Sequence, residues 1–292
     1  PGGPLLRTID GRSRTILGIA VTPDTKKIIT GGADGSIRVW DYETGKELNK
    51  LLDHTKLVYT LALSPHADFL VSGAFDHTVK IWDMDTLSLV HTLKGHKNWV
   101  SGVLVTPDSK RIISSSYDKT VKIWDVETCA FVNSLDGHDG HVRGIAITSD
   151  GRRLVSASQD RTLRIWNLET FAHVSTLRGH SETVYCVCCS PDDKFAISGS
   201  EDTMVKIWDL ESAKEVRSLV GHTSDIFAVA VTPDGSKVIS SGDDTQVKVW
   251  SLESGEELAS LHGHSESVRI VTVSPDGLTI VSGSEDATFK IW

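Results

Sequence analysis

The sequence contains no apolar run approaching the roughly 18 residues of a membrane-spanning helix, no secretory leader and no glycine-rich phosphate loop. Those absences speak against a membrane-spanning helix and against nucleotide chemistry of the P-loop kind. Positive charge is also in short supply. The 292 residues carry 30 Lys and Arg against 39 Asp and Glu, a net charge of −9, which disfavours nucleic acid or an anionic membrane surface as the main partner. Cysteine is scarce: Cys129, Cys186, Cys188 and Cys189 are all there is, and three of them crowd into one short segment where neighbours cannot bridge easily. They are expected to be small buried thiols of a reducing cytoplasm, and their spacing does not suit zinc. No segment has useful helical periodicity. The chain opens on Pro1 rather than methionine, so it is expected to belong to a longer polypeptide.

What the chain has is tryptophan on a lattice. Residues 40, 82, 124, 166, 208, 250 and 292 are all Trp, 42 residues apart with no insertion or deletion. Such regularity marks a repeat architecture in which each period is one supersecondary unit that buries its apolar faces against copies of itself. The chain is two residues short of seven full periods, which leaves no room for a second domain and predicts one domain over residues 1–292.

Each period reads as strands. In the second, 58–64, 69–75, 78–82 and 88–94 are short β-rich segments bounded by turn residues, here lettered a to d. The a-to-b turn recurs as Thr22-Pro23-Asp24, Ser64-Pro65-His66 and their counterparts, with proline presetting φ; only the fourth period, with Ser149, lacks it. Four antiparallel strands with two apolar faces are stable when stacked radially into a closed ring, so an all-β, seven-bladed β-propeller is predicted. By the same count residues 4–10 form a d strand without a, b or c, and 268–292 supply a, b and c without d. The two ends are expected to complete one blade and close the ring.

Gly95-His96, Gly137-His138, Gly179-His180, Gly221-His222 and Gly263-His264, each followed about 28 residues later by Trp and often Asp (Trp82-Asp83, Trp124-Asp125, Trp208-Asp209), resemble the WD-repeat β-propellers across the whole chain. The uniform repeats and the Pro-Gly-Gly-Pro opening look like prokaryotic members. The resemblance implies four-stranded blades, a channel lined by strand a, and binding of proteins or peptides. It also implies a brace in each blade: indole to Ser or Thr, hydroxyl to His, imidazole to Asp. The sets are His54, Ser72, Asp76 and Trp82; His96, Ser114, Asp118 and Trp124; His138, Ser156, Asp160 and Trp166; His180, Ser198, Asp202 and Trp208; His222, Ser240, Asp244 and Trp250; and His264, Ser282, Asp286 and Trp292. A Ser-His-Asp triad is the enzymatic interpretation of these residues, but a catalytic site need not recur around a ring, whereas a brace must. The first period has Arg12 in place of His, expected to reach Asp34 directly; the second has Asp53 in place of Gly.

Function is sought where the repeats differ. Residues entering strand a and those preceding the b-to-c aspartate should meet on one rim near the channel mouth. Of 21 such positions six are aromatic, namely Tyr59, Phe75, Trp99, Tyr117, Tyr185 and Phe227, where the 7% average would place one or two. Leu57, Tyr59, Phe75, Trp99 and Tyr117 form a contiguous apolar sector. Glu201, Asp225, Asp243 and Glu285 form an acidic arc relieved by Arg143 and Arg269. These thirteen residues are the candidate partner-binding set, led by Trp99, the one Trp off the lattice. An apolar anchor flanked by basic residues would suit both halves.

Other signals are weaker. His138 and His141 are close enough to share a metal, yet His138 already belongs to a brace, so no metal, cofactor or catalytic residue is assigned. The basic residues two before each lattice Trp (Arg38, Lys80, Lys122, Arg164, Lys206, Lys248, Lys290) are spread round the ring as a solvated or locally paired set. The expectation is a cytoplasmic, non-enzymatic scaffold for a protein or peptide, monomeric as an isolated ring. The rivals are a C-terminal sensor domain of a larger signalling ATPase, an enzyme at the channel mouth, and a spacer.

Overall fold

In the computed structural model, which describes residues 4–292, the periods become seven four-stranded antiparallel sheets. The opening residues 1–3 of the expected domain lie outside those described. Blade 1 has strands a (Ile16–Val21), b (Lys27–Gly32), c (Ser36–Asp41) and d (Glu47–Leu52). Blades 2 to 6 repeat it, and no helix occurs among the described residues. Strand b is buried almost throughout while strand d is mostly exposed, because a twisted sheet in a ring hides its middle strands between neighbours and turns its last strand outward. That outer strand carries a bulge in each of blades 1 to 6, and the extra residue (Leu48, Val90, Val132, Val174, Val216, Leu258) is 40–59% exposed. A bulge interrupts the ladder, so these edges are poor templates for pairing with another chain.

The cores lie between blades. Ile29, Ile37, Val39 and Leu51 of blade 1 pack against Val58, Leu70 and Trp82 of blade 2, and the other blades follow the same scheme. Each lattice Trp thus reaches back toward the preceding sheet. The glycine of Gly-His is required by that ring: a Cβ on Gly95 would lie 2.9 Å from Cη2 of Trp124, and one on Gly221 2.8 Å from Cη2 of Trp250.

Ring closure follows the sequence expectation. Strands a (Val268–Val273), b (Ile280–Ser284) and c (Thr288–Ile291) of blade 7 take their fourth strand from Arg7–Asp10. Arg7 pairs with Ile291 and Asp10 with Thr288, and Ile9 joins Val281, Phe289 and Ile291 in a core shared with Ile16, Ile28 and Trp40 of blade 1. The described strand is shorter than the expected 4–10, starting at Arg7.

Where blade 4 lacks the turn proline, another residue uses the backbone donor that proline would have removed. Asp193, in the a-to-b turn of blade 5, accepts from Ser149 N at 2.6 Å, Ser149 Oγ at 2.7 Å and Asp150 N at 3.1 Å. A departure from the repeat has become a latch between two blades.

Candidate functional site

The braces come first because they fix the frame on which the rim is built. Each lattice indole donates Nε1–H to a Ser or Thr hydroxyl at 2.8–2.9 Å. In blades 2 to 7 that hydroxyl is 2.7–2.8 Å from His Nε2, and His Nδ1 is 2.7–2.8 Å from an Asp oxygen. Since the oxygen accepts from the indole, its own proton points to Nε2. Nδ1–H is therefore the donor to Asp, and this network sets the tautomer. His138 has both nitrogens engaged in this way, and His141 Nδ1–H donates to the Tyr117 carbonyl at 2.6 Å.

Blade 1 departs from the expected bracing. Arg12 turns outward, 64% exposed, and pairs with Glu47 at 3.1 Å instead of reaching Asp34. Asp34 is held by Arg38, whose side chain is only 5% exposed and whose Nη2 lies 2.7 Å away. Blade 1 has Arg at that slot, where five of the other six blades have Lys, and its longer planar fork spans to the aspartate. Burial pushes the Asp34 carboxyl up, but the bonds from Arg38 and Ser36 outweigh it and bring it to about 2. Several other basic residues of this set are locally engaged: Lys206 with Glu215 at 2.9 Å, Lys248 with Glu257 at 3.0 Å, Lys290 with Thr8 at 2.9 Å, and Lys80 with the Asp53 that replaces glycine in blade 2. Lys122 lies over the Phe131 ring.

The braces make stability depend on pH with a definite sign. Burial alone would raise the carboxyls of Asp76, Asp118, Asp160, Asp202, Asp244 and Asp286, but hydrogen bonds from imidazole, hydroxyl and backbone donors hold all six below their usual range. Their contribution is present above the unfolded value of about 4 and is lost as pH falls through the lower folded values. His264 is pushed down by burial, so the unfolded chain takes up that proton first and stability starts to fall below about pH 6.5. Asp225, raised by burial and by Glu201, works the opposite way, one group against six. Calorimetry should show a melting temperature that declines gently below pH 6.5 and steeply below pH 4. A flat profile to pH 3 would contradict this account.

At the channel mouth every strand a is irregular at the same place. The pairing of a with b skips Leu17, Tyr59, Ser101, Arg143, Tyr185, Phe227 and Arg269, one per blade. These bulges turn all seven side chains into one cavity on the ring axis. The residue before strand a and the residue after strand b are tied by the backbone: Phe75 N to Leu57 O at 3.0 Å, Tyr117 N to Trp99 O at 2.9 Å, Asp243 N to Asp225 O at 2.8 Å.

The aromatic residues meet in a continuous stack. Tyr59 lies on Phe75 (centroids 5.5 Å), and Phe75 on Trp99 (3.9 Å, planes 8° apart). Trp99 leans on Tyr117 (5.2 Å), and Tyr117 stacks on His141 (4.7 Å), a member of the stack with no place in the candidate set. Arg143 lies over Tyr117 at 4.3 Å and Tyr185 at 5.2 Å; Tyr185 meets Phe227 edge-on, and Arg269 covers Phe227 at 3.9 Å. Trp99 is 36% exposed and Tyr117 only 9%, so Tyr117 is the floor and Trp99 the surface. Leu57 is half-buried beside this stack.

On the opposite side Tyr185 OH donates to Asp225 at 3.3 Å, and Asp243 accepts from Ser224 at 3.2 Å and from Ser267. Burial and the nearby Asp225 and Glu201 push the Tyr185 hydroxyl up to about 12. Glu285 is neutralised by Arg269, whose Nε is 2.7 Å away. Cys186 and Cys188 pack into the core toward blade 6 and Cys189 into that toward blade 4, with burial pushing the thiols of Cys186 and Cys189 up to about 12.

A ring of seven four-stranded sheets, each braced from a Trp through Ser or Thr and in six cases on to His and Asp, is a seven-bladed β-propeller. The WD domain, G-beta repeat pattern matches residues 3–41, 45–83, 87–125, 129–167, 171–209, 213–251 and 255–292, and the chain belongs to the WD40 family. From the second on, each matched unit begins just before the d strand of one blade and runs through strand c of the next. Local similarity reaches 43% identity over 58 residues with eukaryotic translation initiation factor 3 subunit I of Danio rerio, covering 20% of this chain and 18% of that protein. It reaches 40% over 47 residues with WD repeat-containing protein 3 of Homo sapiens, covering 16% and 5%. The matched segments thus span less than a fifth of either relative.

Proposed function

We propose that this propeller is a non-enzymatic scaffold of the cytoplasm that binds a protein or peptide on the rim around the channel mouth. The observation that carries this reading is the Phe75–Trp99 pair, stacked at 3.9 Å with Trp99 more than a third exposed. An indole held flat by a neighbouring ring has little side-chain entropy to lose on binding, which suits a hot spot. The carboxylates of Glu201, Asp225 and Asp243, which form no ion pair among the described residues, then set orientation and association rate through charge. Uncombined thiols throughout are consistent with a reducing compartment.

Affinity capture from the native cell tests this with wild-type protein beside Trp99→Ala. Tyr117 is left intact because it is buried and its loss would mix stability with binding. The expected result is a partner lost with the variant, at a cost of at least about 2 kcal/mol in a direct titration, with the melting temperature unchanged. Binding within error of wild type would remove Trp99 from the site.

A further inference from the structure

The channel mouth holds two guanidinium groups, and only one of them has a carboxylate. Arg269 is taken by Glu285 through Nε and Nη2. Arg143 forms no ion pair among the described residues: its Nη1 donates to the Tyr117 hydroxyl, while its Nε is shut from water with no acceptor at all. An orphaned buried donor calls for an explanation. The group is also held in place, its carbon 4.3 Å from the Tyr117 centroid and 5.2 Å from that of Tyr185.

Tyr59 enters the same space from blade 2, and its hydroxyl has no hydrogen-bond partner among the described residues. Burial pushes that hydroxyl up, and the positive fields of both Arg143 and Arg269 oppose the push, which sets the three groups around one space. The cavity they line is about 210 Å³ and is also walled by Tyr185 and Phe227. With Arg269 already neutralised, the pocket offers one uncompensated positive charge, a planar fork and a phenolic donor. A singly charged planar anion matches that set, whereas a phosphate dianion would need a second free cation and a partner's Lys or Arg would meet two guanidiniums.

We propose that the channel is a carboxylate-binding subsite in which Arg143 and Tyr59 hold the acidic side chain of a peptide docked on the rim; this rests on the rim-binding reading above. The aromatic stack receives the apolar anchor, and the carboxylate descends beside it at Arg143.

The test is calorimetric titration of the whole chain with N-acetyl-glutamyl amide at fixed ionic strength, with N-acetyl-glutaminyl amide and inorganic phosphate as controls. Wild-type protein should show saturable binding with a dissociation constant of about 1 mM. Binding should be about tenfold weaker or worse in Arg143→Gln and in Tyr59→Phe, the second of which removes only an oxygen and leaves the ring packing intact. Leu278→Ala, in the exposed a-to-b turn of blade 7, should bind the probe as wild type does. Absence of saturation, equal binding of the glutaminyl amide, tighter binding of phosphate, or an unchanged affinity in Tyr59→Phe would each overturn the assignment. The probe needs no partner protein, so its failure leaves partner capture through Trp99 standing, and failure of capture leaves the titration readable.

Discussion

A chain lacking residues 1–10 is expected to melt about 10 °C or more below the full chain and to associate at its open edge. The deletion removes the strand Arg7–Asp10, whose four residues pair in register with Thr288–Ile291. It also takes Ile9 from a closed core and uncovers Phe289 and Ile291, which are 0% and 3% exposed in the ring. Each such side chain contributes about 1.5–3 kcal/mol when fully buried, so about 5 kcal/mol is at stake before any relaxation. In a chain of this size that corresponds to about 2–4 °C per kcal/mol. The last c strand would then be an unprotected edge. Scanning calorimetry with light scattering checks both consequences, and a superimposable melting curve would refute closure by this strand.

Ser198→Ala is expected to cost about 2–5 kcal/mol although it deletes a single oxygen. That oxygen accepts from Trp208 Nε1 at 2.8 Å and lies 2.8 Å from His180 Nε2, and both partners are buried. Without it an indole N–H and an imidazole nitrogen are left unpaired in the interior, each at about 1–3 kcal/mol. Ser198→Thr should be much milder, because Thr30 fills this slot in blade 1 and accepts from Trp40 at 2.8 Å. Denaturant melts of the two variants separate the polar effect from packing. Equal stability of both would show that the brace contributes little.

The period, the strands and the closure were legible in the sequence because they are set by residue type at fixed spacing. Trp40 to Trp292, the turn prolines and the Gly-His pairs each have one physical use, repeated. The bulge in strand a was not legible. Its occupants, Leu17, Ser101 and Arg143 among them, share no property, because the irregularity lies in backbone pairing and leaves the side chain free. Nor does a list of aromatic residues distinguish Tyr117, buried as a floor, from Trp99, which rests on it in the open; that depends on which ring lies on which. The exchange of Arg12 for Arg38 as the partner of Asp34 is a matter of reach, since the two lie on opposite sides of the aspartate in sequence.

None of the seven bulge residues belongs to an inter-blade core, and none is a member of a Trp-to-Asp brace. Ser101 is buried and bonded to the Val142 carbonyl of the next blade, but the other six contact chiefly one another and the rim, so exchanging them should disturb folding less than exchanging a core or brace residue. The ring is in effect a combination lock whose dials sit outside its case: a library varied only at residues 17, 59, 143, 185, 227 and 269 would sample new ligands on the same scaffold.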